Sequence, residues 1–316
     1  MAFADLKNDF VFRRIFATHP EILRRLLNDL LEREGERTIE AIEYLPSEQV
    51  PQILGAKLSI LDVKCRDRTG TTFVVEMQLI HVPGFINRVV YNACKAYVSQ
   101  LKQGEKYTTL ADVVAISICD FEVWPDAAQD AARLPRVPML SRWNMTERSS
   151  GNHGLLQVQY AFLELPKLPE QRPQAGAGLW AWLFVHAPEF HEVPPDLPPG
   201  PYRQAVELAN EATFTQAELD AYRKVMDEIQ QVRDLAEAKW TEGKAEGKAE
   251  GVTEGQARAI LTLFAARGIA VSNEVRARIE ACTNPTTLDK WIARAASAAS
   301  AEEVIASDTE PSVPCA

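Results

Sequence analysis

Two carboxylates, Asp62 and Glu76, stand in stretches where apolar and polar residues alternate, and that alternation can bring them together. Side chains on a strand point to opposite faces in turn. In LSILDVKCR, Leu61, Val63 and Cys65 are therefore expected on one face and Asp62, Lys64 and Arg66 on the other. In TTFVVEMQ, Phe73, Val75 and Met77 share a face and leave Glu76 and Gln78 opposite. A hairpin turning around Thr69 sets Asp62 directly across from Glu76, because the two are equidistant from that residue. Cross-strand partners have Cβ atoms about 4.5 to 5.5 Å apart, close enough for two carboxylates to share one divalent cation. Like charges facing each other otherwise destabilise a strand pair, so a cation gives the pairing a physical reason. A solvated polar sheet face is the plain alternative, and alternation alone leaves both open.

The elements that must position this pair are legible on either side of it. From Asp9 to Leu31, Phe12, Ile15, Phe16, Leu23, Leu26, Leu27 and Leu30 recur at helical spacing, with Pro20 separating two helices. From Ile39 to Gln78 the period shortens to two, with a turn at Thr69-Gly70. Phe85 to Lys102 reads as a helix with an apolar stripe, ended by Gly104. DVVAISICDF, Asp112 to Phe121, is a continuous β-prone run of the kind found in strands covered on both faces. LLQVQYAFLEL adds a strand before Pro166, and Trp180, Trp182 and Phe184 form a compact apolar run expected in the core. Helix, sheet, helix, strand, strand is an α/β plan.

Proline and glycine crowd Val193 to Tyr202, which predicts a boundary with one domain over 1–195 and a helical segment over 196–240. A short repeat, EGKA-EGKA-EGVT-EGQA, occupies Glu242 to Ala257. Each glycine costs a helix about 1 kcal/mol relative to alanine, so 241–257 is expected to be a marginal helix or a hinged linker. Its glycine stripe could also let another helix approach closely, which makes a homo-oligomer through the helical C-terminal region an expectation. A helical hairpin over 258–306 and a disordered tail over 307–316 complete the plan.

Composition removes several classes. The chain of 316 residues has no apolar run of the roughly 18 residues that a membrane span needs, and its charged N-terminus is unlike a secretory leader, so a cytoplasmic location is expected. Its five cysteines lack CxxC spacing and suit buried reduced thiols, and its five histidines form no metal-ligand pattern. A formal net charge of -10 opposes indiscriminate nucleic-acid binding but leaves room for a local basic groove. Arg13, Arg14, Arg24 and Arg25 cluster early, and Lys95, Lys102 and Lys106 later; solvated helix faces are the plain reading of both. Gln100, Lys102 and Tyr107 could touch phosphates, although packing of Tyr107 and solvation of Lys102 are the simpler expectation.

Several of these segments occur together in a telling order: NDFVFRRIF with Asp9, SILDVKCRDRTGTTFVVEMQ, the helix with Tyr91 and Tyr97, LKQGEKYTTLADVVAISICDF, and the EGxx repeats. In that order they resemble the Rpn-type family of recombination-promoting nucleases and transposases, of the PD-(D/E)XK class. The resemblance implies a restriction-endonuclease-like α/β core, a central mixed sheet flanked by helices, followed by a helical C-terminal region. It implies a DNA endonuclease dependent on Mg²⁺ or Mn²⁺, acting in recombination or mobile-element processing. Asp62 matches the first carboxylate of the signature and Glu76 the second, with the Met77 carbonyl as a further metal donor. Asp9 matches an acidic residue that similar nucleases bring to the metal. Gln78 stands where the signature usually has lysine, so either Gln78 orients the attacking water or Lys64 supplies the missing positive charge. A catalytically degenerate nuclease fold, binding DNA or protein as an oligomeric module, is the alternative.

Overall fold

The helical opening follows from its caps. The Asn8 side chain accepts from the N–H groups of Phe10 and Val11 and starts α1 (Asp9–Phe16), whose buried stripe is Val11, Phe12, Ile15 and Phe16. Pro20 then occupies the first turn of α2 (Pro20–Leu31), where its missing N–H costs nothing. The computed structural model describes residues 2–49, 59–125 and 136–306.

Strands β1 (Ile42–Tyr44), β2 (Glu48–Gln49), β3 (Ser59–Ile60), β4 (Val63–Asp67) and β5 (Thr72–Gln78) come next, then α3 (Phe85–Val98). After α3 come β6 (Val113–Cys119), β7 (Leu140–Met145), β8 (Leu155–Glu164), α4 (Gly176–His186) and α5 (Pro201–Leu208). Six strands form one mixed sheet in the order β1-β4-β5-β6-β8-β7, and β2 pairs with β3 separately. β5, β6 and β8 run parallel, while β4 pairs antiparallel with β5. One face packs Val63, Cys65, Phe73, Val75 and Ile116 against residues of α1, α2, α4 and α5. The other packs Val74, Val113, Ala115 and Phe162 against Phe85, Val89, Ala93 and Ala96 of α3. Burial on both faces is why the β6 sequence shows no alternation. The α/β class with a mixed, helix-flanked sheet is what the sequence predicts.

Four features depart from expectation. α3 ends at Val98, four residues early. β7 is an edge strand with only Ser141 buried, so it carries no clear apolar period. α4 is apolar nearly all round because it is a core helix: Trp180 and Phe184 are wholly buried, as expected, and Trp182 is partly so. The proline-rich segment marks no boundary, because Leu197, Tyr202, Ala205, Val206 and Phe214 belong to the same core as α1 and the sheet. The chain divides instead into Met1–Gln230 and Gln231–Ala316.

α6 (Gln216–Ala266) runs through the EGxx repeat as one helix. Alanine, lysine and glutamate between the glycines are strong helix formers and offset their cost. The second unit packs the end of α6 with α7 (Asn273–Glu280), α8 (Pro285–Ala295) and α9 (Ala301–Ala306) around Ile260, Phe264, Ile279, Leu288, Trp291 and Val304. That is four helical pieces where a hairpin has two. Cys65 and Cys119 are buried as expected, but Cys94 is exposed. Cys315 and the expected disordered tail lie outside the described residues. Among the described residues no helix is long and apolar enough to cross a membrane.

Candidate active site

The β4–β5 hairpin sets Val63 opposite Val75 and Lys64 opposite Val74, a register that carries Asp62 to the level of Glu76 one step beyond β4. Asp62 itself lies in a bend. The bend reverses the alternation expected there: Leu61 joins the core beneath α3, while Val63 and Cys65 enter the core on the other face. It also frees the Asp62 carboxylate to bridge two elements. Oδ2 accepts the Met77 N–H at 2.8 Å, and Oδ1 accepts from Arg13 of α1 through Nη2 at 2.9 Å and Nε at 3.3 Å.

Glu76, near the carboxyl end of β5, is 9% exposed, and its Oε1 accepts from Asn92 Nδ2 of α3 at 2.8 Å. Burial pushes its carboxyl above the ordinary carboxylate range and the Asp62 charge adds to this, while Arg88 and the Asn92 hydrogen bond pull the other way. Asp9, the first residue of α1, is raised to about 6 by burial and by Asp62, with Arg13 opposing. The three acids thus stand in one electrostatic neighbourhood. They line a cleft of about 850 Å³ together with Arg13, Met77, Gln78 and Arg88.

Gln78 is in the cleft, with both ends of its amide engaged. Nε2 donates to the Ile80 carbonyl at 2.9 Å, and Oε1 accepts from Arg88 Nη2. Lys64 is not in the cleft. It lies two residues past Asp62, roughly 7 Å along the strand, and lines a separate cavity of about 350 Å³ with Gln100 and Thr109. Burial lowers the Lys64 pKa there. Gln100 exchanges two hydrogen bonds with the Ala111 backbone, a structural use, and Tyr107 is 83% exposed rather than packed.

Of the early arginines only Arg13 reaches the cleft. Arg14 binds Glu218 and the Leu208 carbonyl, Arg24 the Glu40 carbonyl, and Arg25 Asp29 and Tyr202. Arg88 and Asn92 were missed by sequence reasoning. Their signal was present: Asn92 interrupts the apolar stripe of α3, and Arg88 precedes it by one helical turn.

Hard oxygen donors crowded against one another suit a hard cation, and the upward pull of Asp62 on Asp9 and Glu76 is repulsion that a cation relieves. Among the described residues no three acidic, histidine or cysteine side chains gather closely enough to hold an ion. The groups that could hold a divalent ion are Asp62 and Glu76 with the Met77 carbonyl and water, with Asp9 lining the same cleft; few protein ligands suit Mg²⁺, which keeps several waters.

Curated proteins and solved structures gave no match to the chain. The family model of the PD-(D/E)XK nuclease family transposases matches residues 6–238, a span that holds the whole mixed sheet and every residue lining the cleft. With most of its length matched and the two carboxylates standing at one end of that sheet, the chain belongs to the PD-(D/E)XK nuclease family transposases.

Proposed function

We propose that this chain is an endonuclease that hydrolyses phosphodiester bonds in DNA with Mg²⁺ or Mn²⁺, in recombination or mobile-element processing. The observation that carries the reading is Glu76: a nearly buried carboxylate, hydrogen-bonded to a neutral amide and set beside Asp62 at a cleft. Such a group is costly unless something cationic completes it. A divalent ion held by Asp62, Glu76 and the Met77 carbonyl would polarise the phosphodiester and supply an activated water.

The chain's own groups do the positioning. The Met77 N–H fixes Asp62, and Asn92 fixes Glu76. Arg13 neutralises Asp62 through a two-point contact with Oδ1. Asp9 adds a third negative charge from α1. Self-association would run through the later part of α6, where Val252 is exposed among the EGxx glycines; sedimentation at two concentrations, with and without residues after 240, reads it.

Incubation of supercoiled plasmid with the protein and Mg²⁺, Mn²⁺ or Ca²⁺, beside Asp62→Ala and Glu76→Ala, tests the reading. Metal-dependent nicking lost in both variants is expected. No cutting with any ion, or cutting that survives both substitutions, leaves the family fold as a binding module without this chemistry.

A further inference from the structure

Cleavage of a phosphodiester builds negative charge on the oxygens around phosphorus, and the family signature places a lysine two residues after the second acid to meet it. Here that position is Gln78, which is neutral. Lys64 faces a different cavity, and Arg13 is committed to Asp62. Among the described residues the remaining cation of the cleft is Arg88, in the first turn of α3.

Arg88 is placed by three contacts. Its backbone N–H donates to the Gly84 carbonyl at 3.0 Å, its guanidinium lies 5.7 Å from the centre of the Phe85 ring, and its Nη2 donates to Gln78 Oε1. Gln78 is itself anchored by its bond to the Ile80 carbonyl, so the glutamine is a fixed acceptor aimed at the arginine. Among the described residues the Arg88 side chain makes no other hydrogen bond, and its charge is felt at Glu76. A guanidinium has five N–H donors, so most of this fork is left for phosphate oxygens.

We infer that Arg88 is the catalytic cation of this site, taking over the charge that lysine carries in the signature, and that Gln78 is the positioning residue that holds it. The inference rests on the nuclease reading above. In the step it serves, a water oxygen forms the new bond to phosphorus as the bond to the leaving oxygen breaks. The water proton passes to solvent, and the leaving oxygen takes a proton from solvent. Arg88 stays charged throughout and contributes only hydrogen bonds to the non-bridging oxygens, because guanidinium does not deprotonate in proteins.

Arg88→Ala, Arg88→Lys, Gln78→Ala, Lys64→Ala and Asp62→Ala are compared with the unmodified chain by plasmid cutting in Mg²⁺, duplex binding in Ca²⁺, Mn²⁺ calorimetry and thermal unfolding. The expected result for Arg88→Ala is a kcat lower by about 100-fold or more, with Mn²⁺ affinity and unfolding midpoint held. Its duplex affinity should also lose about one unit of salt slope, the mark of one lost phosphate contact. Arg88→Lys should recover part of kcat, and Gln78→Ala should lower kcat less than Arg88→Ala does. Plasmid left intact by the unmodified chain overturns both readings. Cutting that Asp62→Ala loses and Arg88→Ala keeps to within about threefold overturns the role of Arg88 alone. So does a loss confined to Lys64→Ala, or an Arg88→Ala defect that comes with a lowered unfolding midpoint and no rescue by lysine.

Discussion

Glu76 and Glu164 sit near the carboxyl ends of two strands of one sheet, separated only by β6, and both are withdrawn from water. Their surroundings are opposite. Glu164 has its cation within the fold: its Oε2 accepts the N–H groups of Val123 and Trp124 at 2.7 and 3.2 Å and lies 3.1 Å from Lys167 Nζ, which also donates to the carbonyls of Trp124 and Val137, while Oε1 is buried without a partner among the described residues. Glu76 receives a neutral amide from Asn92, feels the charge of Arg88, whose guanidinium donates to Gln78 instead, and has Asp62 as a repelling neighbour. A buried carboxylate that the fold itself ion-pairs serves the fold; one whose direct partner is a neutral amide, with a second acid beside it, marks where an external cation belongs.

Substitution separates the two roles. Glu76→Gln should reduce plasmid cutting by about 1,000-fold or more, equivalent to about 4 kcal/mol of lost transition-state stabilisation. The unfolding midpoint should stay level or rise, because a repelled, desolvated charge is removed. Glu164→Ala should do the reverse in urea denaturation, losing about 3 kcal/mol of stability because Lys167 and two N–H groups are left without their acceptor. A destabilised Glu76→Gln, or a harmless Glu164→Ala, would erase the contrast.

A smaller effect sharpens it. Asp9 is raised from the ordinary 3.8 to about 6. Between those values the native protein binds more protons than the unfolded chain, so metal-free stability should fall as pH rises through that window. Asp9→Asn should flatten the profile and add about 1 kcal/mol at neutral pH, after allowance for solvent screening of a half-buried group. Urea midpoints between pH 4 and 7 measure it; a profile unchanged by Asp9→Asn would remove Asp9 from the cluster.

The parts of this site legible in the sequence are those that obey a period. Alternation around Thr69 gives the hairpin and the level of Asp62 with Glu76, and the unbroken run of β6 gives a strand covered on both faces. Period fails where the chain bends. At Asp62 the bend sends Leu61 to the opposite core, and no spacing rule records it. The same rule put Lys64 on the face of Asp62 without saying that its distance along the strand delivers it to another cavity. Arg88 and Asn92 belong to the following helix, so their approach to β5 is a matter of packing. The prolines of 193–202 read as a boundary because they end regular structure, yet Leu197 and Tyr202 return the chain to the same core.

Thermal unfolding of chelator-treated protein, titrated with Mg²⁺ or Mn²⁺, tests most directly whether the unfinished acids hold a cation. The unmodified chain should gain stability with ion concentration, by about 2.7 kcal/mol at 100 times the dissociation constant. Glu76→Gln and Asp62→Asn should gain little at the same concentrations. No gain in the unmodified chain, or the same gain in both variants, would contradict the assignment of Asp62 and Glu76 as the metal centre.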